Sequence, residues 1–151
     1  MKPVLAIGLG NPLMGDDGIG CAVAERLAVD PGLPNWVEVI CGGSDLLRHA
    51  GRIDGRRGVV VIDAIQDSSA PGSVLALDNA CFRLEDVQEH VHHLSAVQAV
   101  RLLNLVTRVP VTLLAITVQS VSVGSGLSAV MEAKMAAIRD RVLEELAKYS
   151  A

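Results

Sequence analysis

From Val4 to Leu9 the chain reads VLAIGL, apolar or glycine at every position. A strand with one wet face would alternate, so an unbroken apolar run predicts a strand buried on both faces. Gly58–Ile65 (GVVVIDAI) and Val111–Val118 (VTLLAITV) repeat that pattern. Trp36–Ile40 (WVEVI) alternates, and Ser73–Leu77 (SVLAL) follows the turn signal SSAPG, so both predict shorter strands. Between these runs the apolar residues fall at helical spacing. Ile19, Ala22, Val23 and Leu27 share a face over Gly18 to Val29, and Leu94 to Leu105 reads as helical with Val97, Val100, Leu103 and Leu105 apolar. The longest stripe is Met131, Met135, Ile138, Val142 and Leu146, in steps of four, three, four and four. It predicts a helix over Ser128–Lys148, with Glu144 and Lys148 as an i,i+4 pair on its outer side. Strands alternating with helices predict a three-layer α/β/α sandwich, with a largely parallel five-stranded twisted sheet, in a single domain over residues 1–151. Such sheets place their sites outside the carboxyl ends of the strands.

Composition narrows the picture. With one Trp, one Tyr and one Phe, the core must be aliphatic. A net charge of −4 argues against non-specific nucleic-acid binding. The basic cluster Arg52, Arg56 and Arg57 reads as a solvated loop, and His49, in LLRHAG, as a helical surface residue. The cysteines, Cys21, Cys41 and Cys81, are far apart and odd in number, which suggests neither a thiolate zinc site nor a disulfide framework. Buried thiols in a reducing cytosol are the expectation. The N-terminal PVLAIGLG is too short for a secretory leader core, and no apolar run approaches the ~20 residues of a membrane span. A soluble cytoplasmic protein without membrane insertion follows as the expectation.

The segment after the first strand, GLGNPLMGDDGIG (Gly8–Gly20), carries the chemistry. It nearly fits two phosphate-binding templates. Gly8 and Gly10 suit a dinucleotide fingerprint, but Leu13 stands at its third glycine; Gly10 and Gly15 suit a phosphate-cradling loop, but Asp16 and Asp17 replace its Lys and hydroxyl residue. Two carboxylates repel phosphate and suit a cation or a neutral peptide. An aspartate before a helix also serves as an N-cap, so one of the pair can cap while the other faces the crevice.

Asp63 closes the apolar VVVID and lands on the same sheet edge. It either bonds loop amides or forms a second acidic group facing Asp17. HVHHL (His90–Leu94) holds three of the four histidines, a compositional hint of metal binding that also fits an exposed helix start. Gly42 and Gly43, in CGGSD, either turn the chain or present backbone amides to a bound peptide. Carboxylates and an imidazole from three segments suit a borderline divalent metal such as nickel or zinc, with coordination positions left open. A histidine ligand must be neutral, so metal affinity should fall as pH drops through its titration.

These residues resemble the [NiFe]-hydrogenase maturation endopeptidases. GLGNPLMGDDGIG is similar to their G-x-G-N-x-L-x-x-D-[DE]-x-x-G signature, CGGS to their Gly-Gly segment, VIDAI to their acidic strand and HVHHL to their histidine segment. GLSAV (Gly126–Val130) resembles their entry to the last helix. The resemblance implies metal contacts at Asp17, Asp63 and His92, the same three serving the catalytic step, with Gly10, Asn11, Asp16, Gly42 and Gly43 supporting them. It also implies an aspartate-dependent protease that removes a C-terminal extension from the hydrogenase large-subunit precursor after nickel insertion. The recognised nickel arrives with the substrate, and zinc or cadmium can take its place in vitro. A base at Asp17 or Asp63 and a Lewis-acid metal both remain open for the cleavage step. Two other classes stand beside it: a non-catalytic nickel- or zinc-binding maturation factor or metal chaperone, and a nucleotide-binding domain.

Overall fold

Odd and even positions of the central strands bury against different partners, which is why those strands are apolar throughout. The computed structural model describes residues 1–78, 94–119 and 121–151. Strands β1 (Val4–Leu9), β2 (Val37–Gly43), β3 (Gly58–Ile65), β4 (Val74–Leu77) and β5 (Val111–Thr117) form one sheet in the order β2-β1-β3-β5-β4. All pairings are parallel except β4 with β5, so the antiparallel strand is confined to one edge. The described helices are α1 (Ile19–Ala28), α2 (Ala50–Ile53), α3 (Leu94–Thr107) and α4 (Ala129–Ala147).

On one face Val4, Ala6, Val60, Ile62, Leu114 and Ile116 pack against Ile19, Val23 and Leu27 of α1 and the whole methionine-rich stripe of α4. On the other, Leu5, Ile7, Val59, Val61 and Leu113 pack against Ile53 of α2 and Val100 and Leu103 of α3. Each fully buried aliphatic side chain contributes about 1.5–3 kcal/mol. Both layers of helix are thus required by the sheet's two apolar faces. Among the described residues no helix is long and apolar enough to cross a membrane.

Four expectations change. Arg56 is not solvated: it is 7 % exposed and donates to the carbonyls of Arg52 (2.7 Å) and Lys2 (2.8 Å) and to Glu38 Oε2 (2.6 Å). Those acceptors lie across three segments, which a local reading of RIDGRR does not reveal. Lys148 pairs with Glu145 at 2.9 Å rather than with Glu144, because Glu145 faces inward and also takes Arg141 at 3.2 Å. His49 is half-buried at the end of a 3-10 turn, Leu46–His49, with Nε2 at 2.9 Å from the Gly42 carbonyl oxygen. Cys21 and Cys41 form a disulfide, their Cα atoms 4.9 Å apart. They lie 20 residues apart in sequence, but α1 folds back over β1 and Cys41 pairs with Gly8 in the ladder. Spacing alone does not expose such a pair, and cysteine usage no longer argues for a reducing compartment.

Candidate active site

β1 lies between β2 and β3, so the chain leaves it to one side and returns on the other. The carboxyl end of such a strand is a switch point, where a crevice opens. The Gly8–Gly20 loop occupies it. Gly10 sits at φ +125°, where a Cβ would overlap the Asp17 carbonyl; only glycine turns the chain there. At Gly20 a Cβ would strike the carbonyls of Leu9 and Ile62, so the start of α1 rests directly on the ends of β1 and β3.

Neither aspartate caps its own helix: the 3-10 turn Gly15–Gly18 and α1 both begin without a side-chain cap. Asp16 is 5 % exposed and reaches across the molecule. Its Oδ1 accepts from Ser128 N at 2.7 Å and its Oδ2 from Ser128 Oγ at 2.8 Å. Ser128 in turn caps α4, its Oγ accepting from Met131 N at 3.3 Å. Two backbone bonds reinforce this seam, Gly15 N to Gly124 O (2.8 Å) and Gly124 N to Leu13 O (2.9 Å). Asp16 is therefore a positioning residue that fixes the loop to α4.

Asp17 is half-buried, and its Oδ2 accepts from Asn11 N at 2.9 Å. Asn11 Oδ1 accepts from Leu13 N at 3.0 Å, so Asn11 shapes the loop with both its amide and its side chain. Asp63 stands near the end of β3 and is 9 % exposed, with Oδ1 accepting from Ala64 N at 2.8 Å. It lines a pocket of about 140 Å³ with Leu9, Ser44, Asp45, Leu46, Ala96 and Ala99. The turn bearing Asp17 packs against β3, which brings the two acidic elements together at one edge. Gly42 and Gly43 continue β2 instead of turning the chain, and Gly43 O accepts from Gly10 N at 2.9 Å. His92, with His90 and His93, lies outside the described residues.

Sequence reasoning passed over Ser44 and Asp45, which line the Asp63 pocket. Asp45 Oδ1 accepts from Leu47 N at 3.1 Å and caps the Leu46–His49 turn, a role its place before the apolar Leu46–Leu47 pair could have signalled. Ser128 was legible as the start of the last helix, but its partnership with Asp16, 112 residues away, carried no local signal. Among the described residues no cluster of three or more His, Cys, Asp or Glu side chains could hold a metal. Among the described residues, Asp17 and Asp63 are carboxylates carried by packed elements at this edge, and a carboxylate so placed has the chemistry of a general base.

A three-layer α/β/α protein with an acidic crevice at its switch point is the class these features define. The hydrogenase maturation protease family model (HycI) matches residues 21–147. The Hydrogenase 2 maturation protease of Escherichia coli is 28 % identical over 147 residues, covering 95 % of this chain and 90 % of the relative. Among solved structures, the [NiFe] hydrogenase maturation protease HybD from Thermococcus kodakarensis superposes with a TM-score of 0.76 at 27 % identity, covering 97 % of this chain and 99 % of that one. The hydrogenase maturating endopeptidase HybD from E. coli gives 0.75 at 27 %, covering 98 % and 93 %. The chain belongs to the hydrogenase maturation protease family and is an endopeptidase.

Proposed function

We propose that this endopeptidase removes a C-terminal segment from a [NiFe]-hydrogenase large-subunit precursor, and that it does so only once nickel is in place. The observation that carries the reading is the meeting of the Asp17 turn with the Asp63 strand at the switch point of a maturation-protease fold. Nickel in this reading belongs to the substrate. Asp17 and Asp63 contact it with His92, which stands two residues before α3, the helix whose Ala96 and Ala99 line the Asp63 pocket. The chain's own part in the chemistry is to hold the peptide at the crevice and take a proton from the attacking water on one of the two carboxylates. Asp16, through Ser128, keeps the loop in register during that step.

The test is a purified precursor in nickel-loaded and nickel-free forms. Mass spectrometry should show the loaded form shortened by one defined segment and the nickel-free form intact. Cleavage of both alike would remove the nickel dependence. Tight binding of free nickel by the isolated protein, with no cleavage of any loaded precursor, would favour the metal-carrier reading instead.

A further inference from the structure

Cys21 and Cys41 bracket the signature loop, and their bond lies where backbone pairing fails. β2 is an edge strand, held on one side only, by β1. Its register with β1 slips between Gly8, which pairs with Cys41, and Leu9, which pairs with Gly43. Gly42 is the extra residue of that bulge. Beyond Cys41 the strand end is tied to the loop by Gly10 N to Gly43 O, and to its own turn by His49 at the Gly42 carbonyl. The disulfide anchors this weakly paired end to the first turn of α1, which rests on the ends of β1 and β3. The two residues differ in access: Cys21 is 2 % exposed, whereas Cys41 is an exposed residue. Cys21 Sγ also lies 3.4 Å from the Gly8 carbonyl oxygen. If the bond opens, the buried thiol has an acceptor already beside it, so neither redox state strands a polar group in the core.

We propose that Cys21–Cys41 is a reversible redox modification site whose closed form clamps the Asp17 loop for cleavage. The reductant is a dithiol. Its thiolate attacks Sγ of Cys41, the exposed residue of the pair, and the Cys21–Cys41 bond breaks as a mixed disulfide forms. Cys21 leaves with the bonding pair, takes a proton and donates to Gly8 O. The second thiol of the reductant then displaces Cys41, which leaves with its pair and is protonated. Two electrons pass to the protein and the reductant ends as a disulfide. A low-molecular-weight disulfide reverses the exchange. In the reduced form the Gly42–Gly43 segment loosens, and with it the Gly10 bond that holds the loop behind Asp17.

The full chain is equilibrated with dithiothreitol or with oxidised glutathione, then alkylated and weighed. With three cysteines in the chain and one disulfide, the reduced protein should take three alkyl groups and the oxidised protein one. Hydrogen exchange should be roughly tenfold faster in the reduced form over residues 8–18 and 41–47, and unchanged over 131–146. Cys41→Ser should take two alkyl groups and show the reduced form's exchange in both reagents, and Cys81→Ser should keep the exchange difference, with two alkyl groups when reduced and none when oxidised. Three alkyl groups under both conditions, or equal exchange in the two states, overturns the clamp. Processing of the nickel-loaded precursor, expected to be faster in the oxidised form, rests on the function proposed above. A redox-dependent exchange difference with no processing in either state would sink that function and leave the clamp standing; equal processing rates in the two states would sink the clamp's control of cleavage.

Discussion

The two ends of the sheet handle charge in opposite ways. At the amino end Arg56 is wrapped by two carbonyls and Glu38, Lys2 Nζ donates to Val37 O at 3.0 Å, and the Tyr149 hydroxyl bonds Thr112 Oγ1 at 2.7 Å. Burial there pushes the Tyr149 phenol above its usual range. Just below this end, Arg139 clasps Asp30 through two bonds, 2.6 and 2.7 Å, and holds its carboxyl down at about 2. At the carboxyl end Asp16 and Asp17 form no ion pair among the described residues; they are held by amides and a hydroxyl. Charge met by opposite charge closes a surface. Asp16 is spent on Ser128, whereas Asp17, half-buried and held by the Asn11 amide, is the one of the two that a partner can reach.

That contrast can be broken by substitution. Asp17→Ala and Asp63→Ala should each lower precursor processing by about 10²–10⁴-fold while the melting temperature moves little. Normal turnover in either variant, measured by the mass shift of the precursor, would falsify their role. At the opposite end Arg56→Ala leaves buried acceptors and Glu38 unanswered, and should cost about 1–3 kcal/mol in urea unfolding. Its processing rate per folded molecule should be unchanged; a large rate loss would mean the ends are coupled. Ser128→Ala removes both a cap and a partner of Asp16, with an expected cost of about 1 kcal/mol and a few-fold fall in rate. A fall in rate no larger than that of an uninvolved surface variant would deny the seam any part in positioning.

The smallest effect concerns acid. Asp30 titrates lower in the folded protein than its ordinary 3.8, so its contribution is fully present above that value and fades as pH falls towards about 2. Arg139→Gln should flatten this part of the acid-unfolding profile, read by circular dichroism. The pair is open to solvent screening, and added salt should shrink the difference between the proteins.

Much of the fold was legible because β1, β3 and β5 are buried on both faces and say so at every position. The α4 stripe was legible for the same reason, its five residues being the buried apolar residues of that helix. The antiparallel course of β4 was not, since four residues carry no sign of direction. Asp17 and Asp63 could be placed on one edge because parallel strands share a carboxyl end. What escaped was contact between distant segments: Asp16 with Ser128, Cys21 with Cys41, Arg56 with Lys2 and Glu38. Each depends on the register of elements that have already docked, which no local pattern encodes.

The bond from Asp16 to Ser128 also has a meaning in time. It spans 112 residues, whereas the turn that carries Asp17 and the strand that carries Asp63 are complete by Ile65. On a growing chain the carboxylates therefore exist well before the seam that steadies their loop, because long-range contacts form late. The loop's clasp on Ser128 therefore closes last, only once the final helix has been synthesised and docked.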